Sequence, residues 1–124
     1  MNLNELSSKI INSAINVHRE LGPGLFESVY KSCMVIDLRN DGIRVESEIS
    51  LPVYYRGHKV NEEGFRLDLL VEDTIIVELK SVEKILPVHK KQLLTYLRLA
   101  KKPLGLLINF NEVQLVAGIT RIAN

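Results

Sequence analysis

Asp68, Glu78 and Lys80 are the residues whose types and spacing best suit chemistry, because they interrupt an otherwise apolar stretch. The segment Gly64–Ser81 reads GFRLDLLVEDTIIVELKS, with Phe65, Leu67, Leu69 and Val71 at odd positions, followed by Ile75, Val77 and Leu79. Side chains alternate across a strand, so the odd set is expected to face a core on both strands. Arg66, Asp68, Leu70, Ile76, Glu78 and Lys80 would then share the opposite face, the expected substrate surface. Both strands bury their odd positions only if paired residue numbers sum to an even value. A three-residue loop, Glu72-Asp73-Thr74, satisfies this and sets Asp68 opposite Glu78; a loop of about two residues would put them on opposite faces. The odd loop, or an equivalent bulge, is expected.

Two adjacent carboxylates repel each other unless something positive lies between them. Mg²⁺ fits that need, because it takes one or two protein carboxylates and keeps waters for a phosphate. Such an ion polarises phosphate and lowers the pKa of a bound water, which Lys80 could position. The rival reading is a surface Glu–Lys pair beside an unrelated aspartate, since short patterns of this kind recur by chance.

The chain must supply elements to hold that face. Ile10, Ile11, Ala14, Val17, His18 and Leu21 fall at helical spacing and predict a helix over Asn4–Leu21, ended by Gly22-Pro23-Gly24. A second helix is expected from about Phe26 to Asn40, with Val29, Tyr30, Cys33, Met34 and Leu38 inward, closed by Asp41-Gly42. Val45–Tyr55 and Gly64–Ser81 read as strands, Val88–Ala100 as a helix, and Leu104–Phe110 and Val113–Ile119 as strands split by Asn111-Glu112. The expected fold is α/β: two N-terminal helices and a central mixed β-sheet with one further helix packed on it. Without repeats or a linker, residues 1–124 are expected to form one domain.

Composition sets the bounds. With 46% hydrophobic and 25% charged residues, the chain suits a soluble globular protein with a core. No apolar run reaches about 18 residues, so no membrane span is expected, and the N-terminus lacks the order of a secretory signal. Cys33 is the only cysteine, which excludes an internal disulfide and suits a reducing cytoplasm. Its mid-helix, apolar setting argues against a thiol hydrolase. The net charge of +1 decides nothing, but its distribution is uneven. Lys84, Lys90, Lys91, Arg98, Lys101 and Lys102 occur with no acidic residue among them, while acids crowd Glu46 to Glu83. A basic flank beside an acidic centre suits a metal-dependent phosphodiesterase; otherwise it is one solvated helix face.

Further residues surround the trio. His89, Gln92 and Tyr96 form one stripe on the Val88–Ala100 helix, and Glu27 opens its helix with Tyr30 one turn later. The segment GLFESVY (Gly24–Tyr30) resembles the signature of the small GxxExxY proteins, a family similar to the PD-(D/E)XK nuclease superfamily. The resemblance extends through VHRELGPG from Val17, FRLD ending at Asp68, VELK ending at Lys80, QLLTY ending at Tyr96 and GLLINF ending at Phe110.

It implies a restriction-endonuclease-like fold and a nuclease that hydrolyses DNA or RNA with Mg²⁺ or Mn²⁺. Asp68 then matches the metal-binding aspartate, and Glu78 and Lys80 match the E-x-K pair. Leu67 stands where the motif's name has proline, a departure without chemical cost. Glu27 matches a helical glutamate that completes the metal site, and the Leu79 carbonyl is a further ligand. Gln92 and Tyr96 resemble a Q-x-x-x-Y helix motif of related exonucleases, which orients the substrate or the lysine. Lys84, Lys90, Lys91, Arg98 and Lys102 would then flank the nucleic-acid backbone. His89 could touch phosphate or do nothing; His18, on an apolar stripe, is by default a satisfied core histidine that could also support Glu27; Tyr30 is expected as a half-buried core aromatic before a phosphate contact. A homodimer or larger assembly is plausible at this size. The alternative is a catalytically silent nucleic-acid-binding or interaction module with the same fold.

Overall fold

Asn2 accepts the amide of Glu5 at 2.8 Å and so caps the first helix, α1 (Leu3–Leu21). The helix stops at Gly22, whose φ of 74° carries a steric cost for any residue with a β-carbon. Leu6, Ile10, Ala14 and Val17 recur three and four apart and form its buried stripe. Helix α2 (Glu27–Asn40) packs beside it and buries Tyr30, Met34 and Leu38 completely. Val29 is not part of that stripe; it lies on the flank, 39% exposed. The computed structural model describes residues 1–124.

One five-stranded sheet runs in the order β1 (Val45–Tyr55), β2 (His58–Val71), β3 (Ile75–Lys80), β4 (Leu104–Asn109), β5 (Ile119–Ala123). All neighbours are antiparallel except β3 and β4. A parallel pair needs a crossover, and helix α3 (Pro87–Ala100) supplies it. The start of α3 therefore lies at the end where β3 finishes, and its last turn at the end where β4 begins. Helices α1 and α2 cover one face, so Tyr30, Met34, Leu69, Val71, Val77, Leu79 and Phe110 share one core. On the other face α3 packs Leu93 and Leu97 on Leu70, Ile76 and Leu107. Burial on both faces explains the near-continuous apolar runs of β3 and β4. Gly105 admits this packing, since a β-carbon there would come within 2.9 Å of Leu93.

The β2–β3 register follows the alternation. Val71 pairs with Ile75, Leu70 with Ile76 and Leu69 with Val77, leaving the three-residue turn Glu72-Asp73-Thr74.

Three expectations need correction. The odd positions of β2 do not share one face: Phe65 and Leu67 pack on the α3 side, Leu69 and Val71 on the α1–α2 side. The change falls at Asp68. Across from it on β1, Glu48 takes a φ of 53°, outside the extended range of the flanking pairs Ser47–Leu69 and Ile49–Leu67. The even face is also not an open substrate surface, because Leu70 and Ile76 are buried beneath α3. The last strand is shifted too. Leu115–Gly118 forms a 3₁₀ turn and β5 begins at Ile119, where a strand over Val113–Ile119 was expected. Val113 and Val116 are 88% and 68% exposed, so only Leu115 of that group anchors in the core. Gly118 makes the turn possible, since a β-carbon there would lie 2.7 Å from the Asn109 carbonyl oxygen. No helix is long and apolar enough to cross a membrane.

Candidate active site

Beyond the Leu69–Val77 pair, β2 and β3 part, and two side chains bridge the opening. The Asp68 amide donates to Glu78 Oε1 at 3.2 Å, and the Leu79 amide donates to Asp68 Oδ2 at 2.8 Å. Each carboxylate thus takes a strand amide, which fixes both groups at the mouth of the wedge. Asp68 is half-buried and Glu78 only 6% exposed.

Burial is the main reason the Glu78 carboxyl is pushed up to about 8, and the adjacent Asp68 charge adds to it. The Asp68 amide and Lys80 act in the opposite direction without overcoming these effects. The remaining oxygens, Asp68 Oδ1 and Glu78 Oε2, take no hydrogen bond from a protein N–H or O–H, and neither is sealed from solvent. A buried carboxyl raised by desolvation, beside a second carboxylate, offers the oxygen donors that a hard divalent cation takes. The Leu79 side chain lies in the core, so only its backbone can join the site.

The structure brings some expected residues to this wedge and leaves others elsewhere. Lys80 is half-buried and close enough to favour the charged form of Glu78. Tyr96 packs on Phe65 with ring centroids 5.0 Å apart. Its hydroxyl is pushed up by burial first and then by the charges of Glu78 and Asp68. Gln92, one turn earlier, is exposed and unbonded.

Glu27 stands half-buried at the head of α2, and no third His, Cys, Asp or Glu joins Asp68 and Glu78 to complete a metal-binding group. Its segment is nonetheless tied to the site: Ser81 Oγ donates to the Leu25 carbonyl at 2.9 Å. Tyr30 is part of that tether and not a phosphate contact. It is fully buried against Phe110, donating to the Gly22 carbonyl at 2.6 Å and accepting the Leu25 amide at 3.0 Å.

His18 does not support Glu27. Its Nε2 lies 2.7 Å from the Glu112 carbonyl oxygen, because the last turn of α1 faces the chain that follows β4. Nδ1 of His89 accepts the Leu86 amide at 2.9 Å and caps α3, which leaves Nε2 alone for any phosphate. The basic flank is split as well. Lys84, Lys90 and Lys91 are exposed near the start of α3 and enter no ion pair. Arg98 and Lys102 lie at the opposite end, where Lys102 bonds Asp73 of the β2–β3 turn at 2.9 Å.

Asn109 escaped the sequence reasoning. Fully buried, it accepts the amides of Val82 and Asn111 and donates to the Val82 carbonyl at 2.8 Å. It thereby fixes the chain two residues past Lys80. Its signal was present: an amide closing the apolar run Leu104–Ile108 needs partners wherever it is buried. A groove of about 1040 Å³ lies between α1 and α2 and includes none of these site residues.

The sequence profile of the PD-(D/E)XK nuclease superfamily matches residues 4–122, a span that includes the wedge, α3 and the Gly22–Leu25 tether. No curated protein and no solved structure matches the chain. Three helices around a five-stranded mixed sheet are consistent with a restriction-endonuclease-like fold, and with a match over nearly its whole length the chain belongs to the PD-(D/E)XK nuclease superfamily.

Proposed function

We propose that the chain is a metal-dependent phosphodiesterase that cuts DNA or RNA. The observation that carries this reading is the carboxylate pair, Glu78 buried and Asp68 half-buried, with spare oxygens that take no N–H donor. Asp68 and Glu78 would hold Mg²⁺ or Mn²⁺, with the Leu79 carbonyl as a backbone ligand and water in the remaining positions. When bound, such an ion supplies a Lewis acid for phosphate and an activated water. Lys80 Nζ holds that water by hydrogen bonding and offsets negative charge as it develops. Glu27 acts across water from the head of α2. Tyr96 shields the carboxylates on the α3 side and keeps the local field strong by excluding solvent, while Gln92 orients substrate. Lys84, Lys90 and Lys91 run along the phosphate backbone.

Purified protein with Mn²⁺, incubated with labelled DNA and RNA in single- and double-stranded forms, tests the reading. Cleavage that disappears in Lys80→Ala supports it. An uncut panel, or undiminished cleavage by Lys80→Ala, rejects it. Salt-sensitive binding without cleavage would mark a silent binding module instead.

A further inference from the structure

Phe26 breaks two local rules at the rim of the site. It occupies the N-cap of α2, a position that favours Ser, Thr, Asp or Asn, and it makes no capping hydrogen bond. It is also 80% exposed, an aromatic left in water where the same helix buries Tyr30 completely. Positions that forgo local stability without structural return are where function is to be sought.

Its place is fixed by the tether. The Leu25 carbonyl is bonded to Ser81, so Phe26 is one residue from a contact that is itself one residue from Lys80. The start of α3, at the same end of the sheet, exposes Leu86 and Val88 at 48% and 61%. The unpaired lysines 84, 90 and 91 stand nearby. An exposed ring and two apolar side chains among unpaired cations complement a polyanion that carries exposed apolar faces, and a nucleotide whose base is unstacked is such a ligand. A duplex presents only phosphates and groove edges to an exposed ring, because its base faces are covered.

We propose that Phe26 stacks on an unpaired base beside the scissile phosphate and gives the site its preference for single strands. This rests on the nucleic-acid reading of the wedge. Stacking on one base is worth about a 5- to 150-fold change in affinity.

Fluorescence anisotropy with fluorescein-labelled single-stranded and duplex oligonucleotides, in EDTA so that nothing is cut, tests it. Phe26→Ala is expected to weaken single-strand binding about 5- to 150-fold while duplex binding and Tm stay unchanged, and Phe26→Trp is expected to restore it. One abasic position in the strand should reproduce the loss in the wild type and add nothing in Phe26→Ala. Equal loss on both forms, or no loss on the single strand, overturns the proposal. Wild-type protein that binds no nucleic acid overturns it, and the nuclease reading is then decided separately by cleavage in Mn²⁺. Phe26-dependent binding without cleavage in Mn²⁺ leaves it standing and removes only the nuclease.

Discussion

Asp68 and Glu78 are joined through the backbone of each other's strands: Glu78 accepts the Asp68 amide, and Asp68 accepts the Leu79 amide. The pair is positioned by main-chain donors, so its geometry does not depend on a bound ion to form. Burial and the adjacent Asp68 charge push the Glu78 carboxyl up to about 8.

A pH dependence of stability follows. The folded pKa of Glu78, about 8, lies above the ordinary carboxyl value of 4.5, so the unfolded chain loses this proton first as pH rises. With more protons bound in the folded state, stability in EDTA falls between about pH 4.5 and pH 8, by at most about 1.4 kcal/mol per unit from this group. Glu78→Gln removes that slope and is expected to raise Tm at pH 8 by several degrees. Thermal melts of both proteins from pH 4 to 9 in EDTA check it; parallel curves would refute it.

Metal binding competes with the same proton. Mn²⁺ affinity is expected to rise with pH up to about 8, each ion releasing about one proton at pH 7. Calorimetry in two buffers of different ionisation heat measures the release. Asp68→Asn and Glu78→Gln should each weaken binding, and an affinity independent of pH would count against the pair.

Asn109 holds the chain that leaves β3. Asn109→Ala strands the half-buried amide and carbonyl of Val82, at up to about 1–3 kcal/mol each. Stability measured in urea should fall by about 2–4 kcal/mol, and activity at saturating Mn²⁺ should fall with it because Ser81 and Lys80 lose their anchor.

Tyr30→Phe keeps the packing on Phe110 but removes the two hydrogen bonds to Gly22 and Leu25. A loss of about 1–3 kcal/mol is expected, and amide exchange should quicken at Leu25 and Phe26. Unchanged exchange there would mean that the tether is held by Ser81 alone.

The split of the basic residues predicts different salt dependences. Neutralising Lys84 or Lys90 should lower the slope of log affinity against log salt by about one each. Lys102→Gln should leave the slope unchanged, since that lysine is bonded to Asp73 at the far end.

Much of this was legible in the sequence, because periodicity reports on burial. The odd apolar positions from Leu69 to Leu79 dictated the three-residue turn, and the turn places Asp68 opposite Glu78. Strand alternation could not reveal the change of face at Asp68, which involves a left-handed residue, Glu48, on a different strand. The Val113–Ile119 strand failed for a related reason: close approach of Gly118 to Asn109 decides the backbone there, whatever the β propensity of Val113 and Val116. Helical spacing put His89, Gln92 and Tyr96 on one stripe, but only tertiary packing separates Tyr96 beside the carboxylates from a capping His89 and an exposed Gln92. Lys102 looked like part of one basic flank because α3 hides, in a linear string, that its two ends lie at opposite ends of the sheet.

Anomalous scattering from crystals soaked in Mn²⁺ tests the metal centre most directly. The expected result is a single strong peak about 2.0–2.3 Å from one oxygen each of Asp68 and Glu78, lost in Asp68→Asn crystals treated alike. No peak at the wedge, or a peak only among the acidic side chains between α1 and α2, would contradict it.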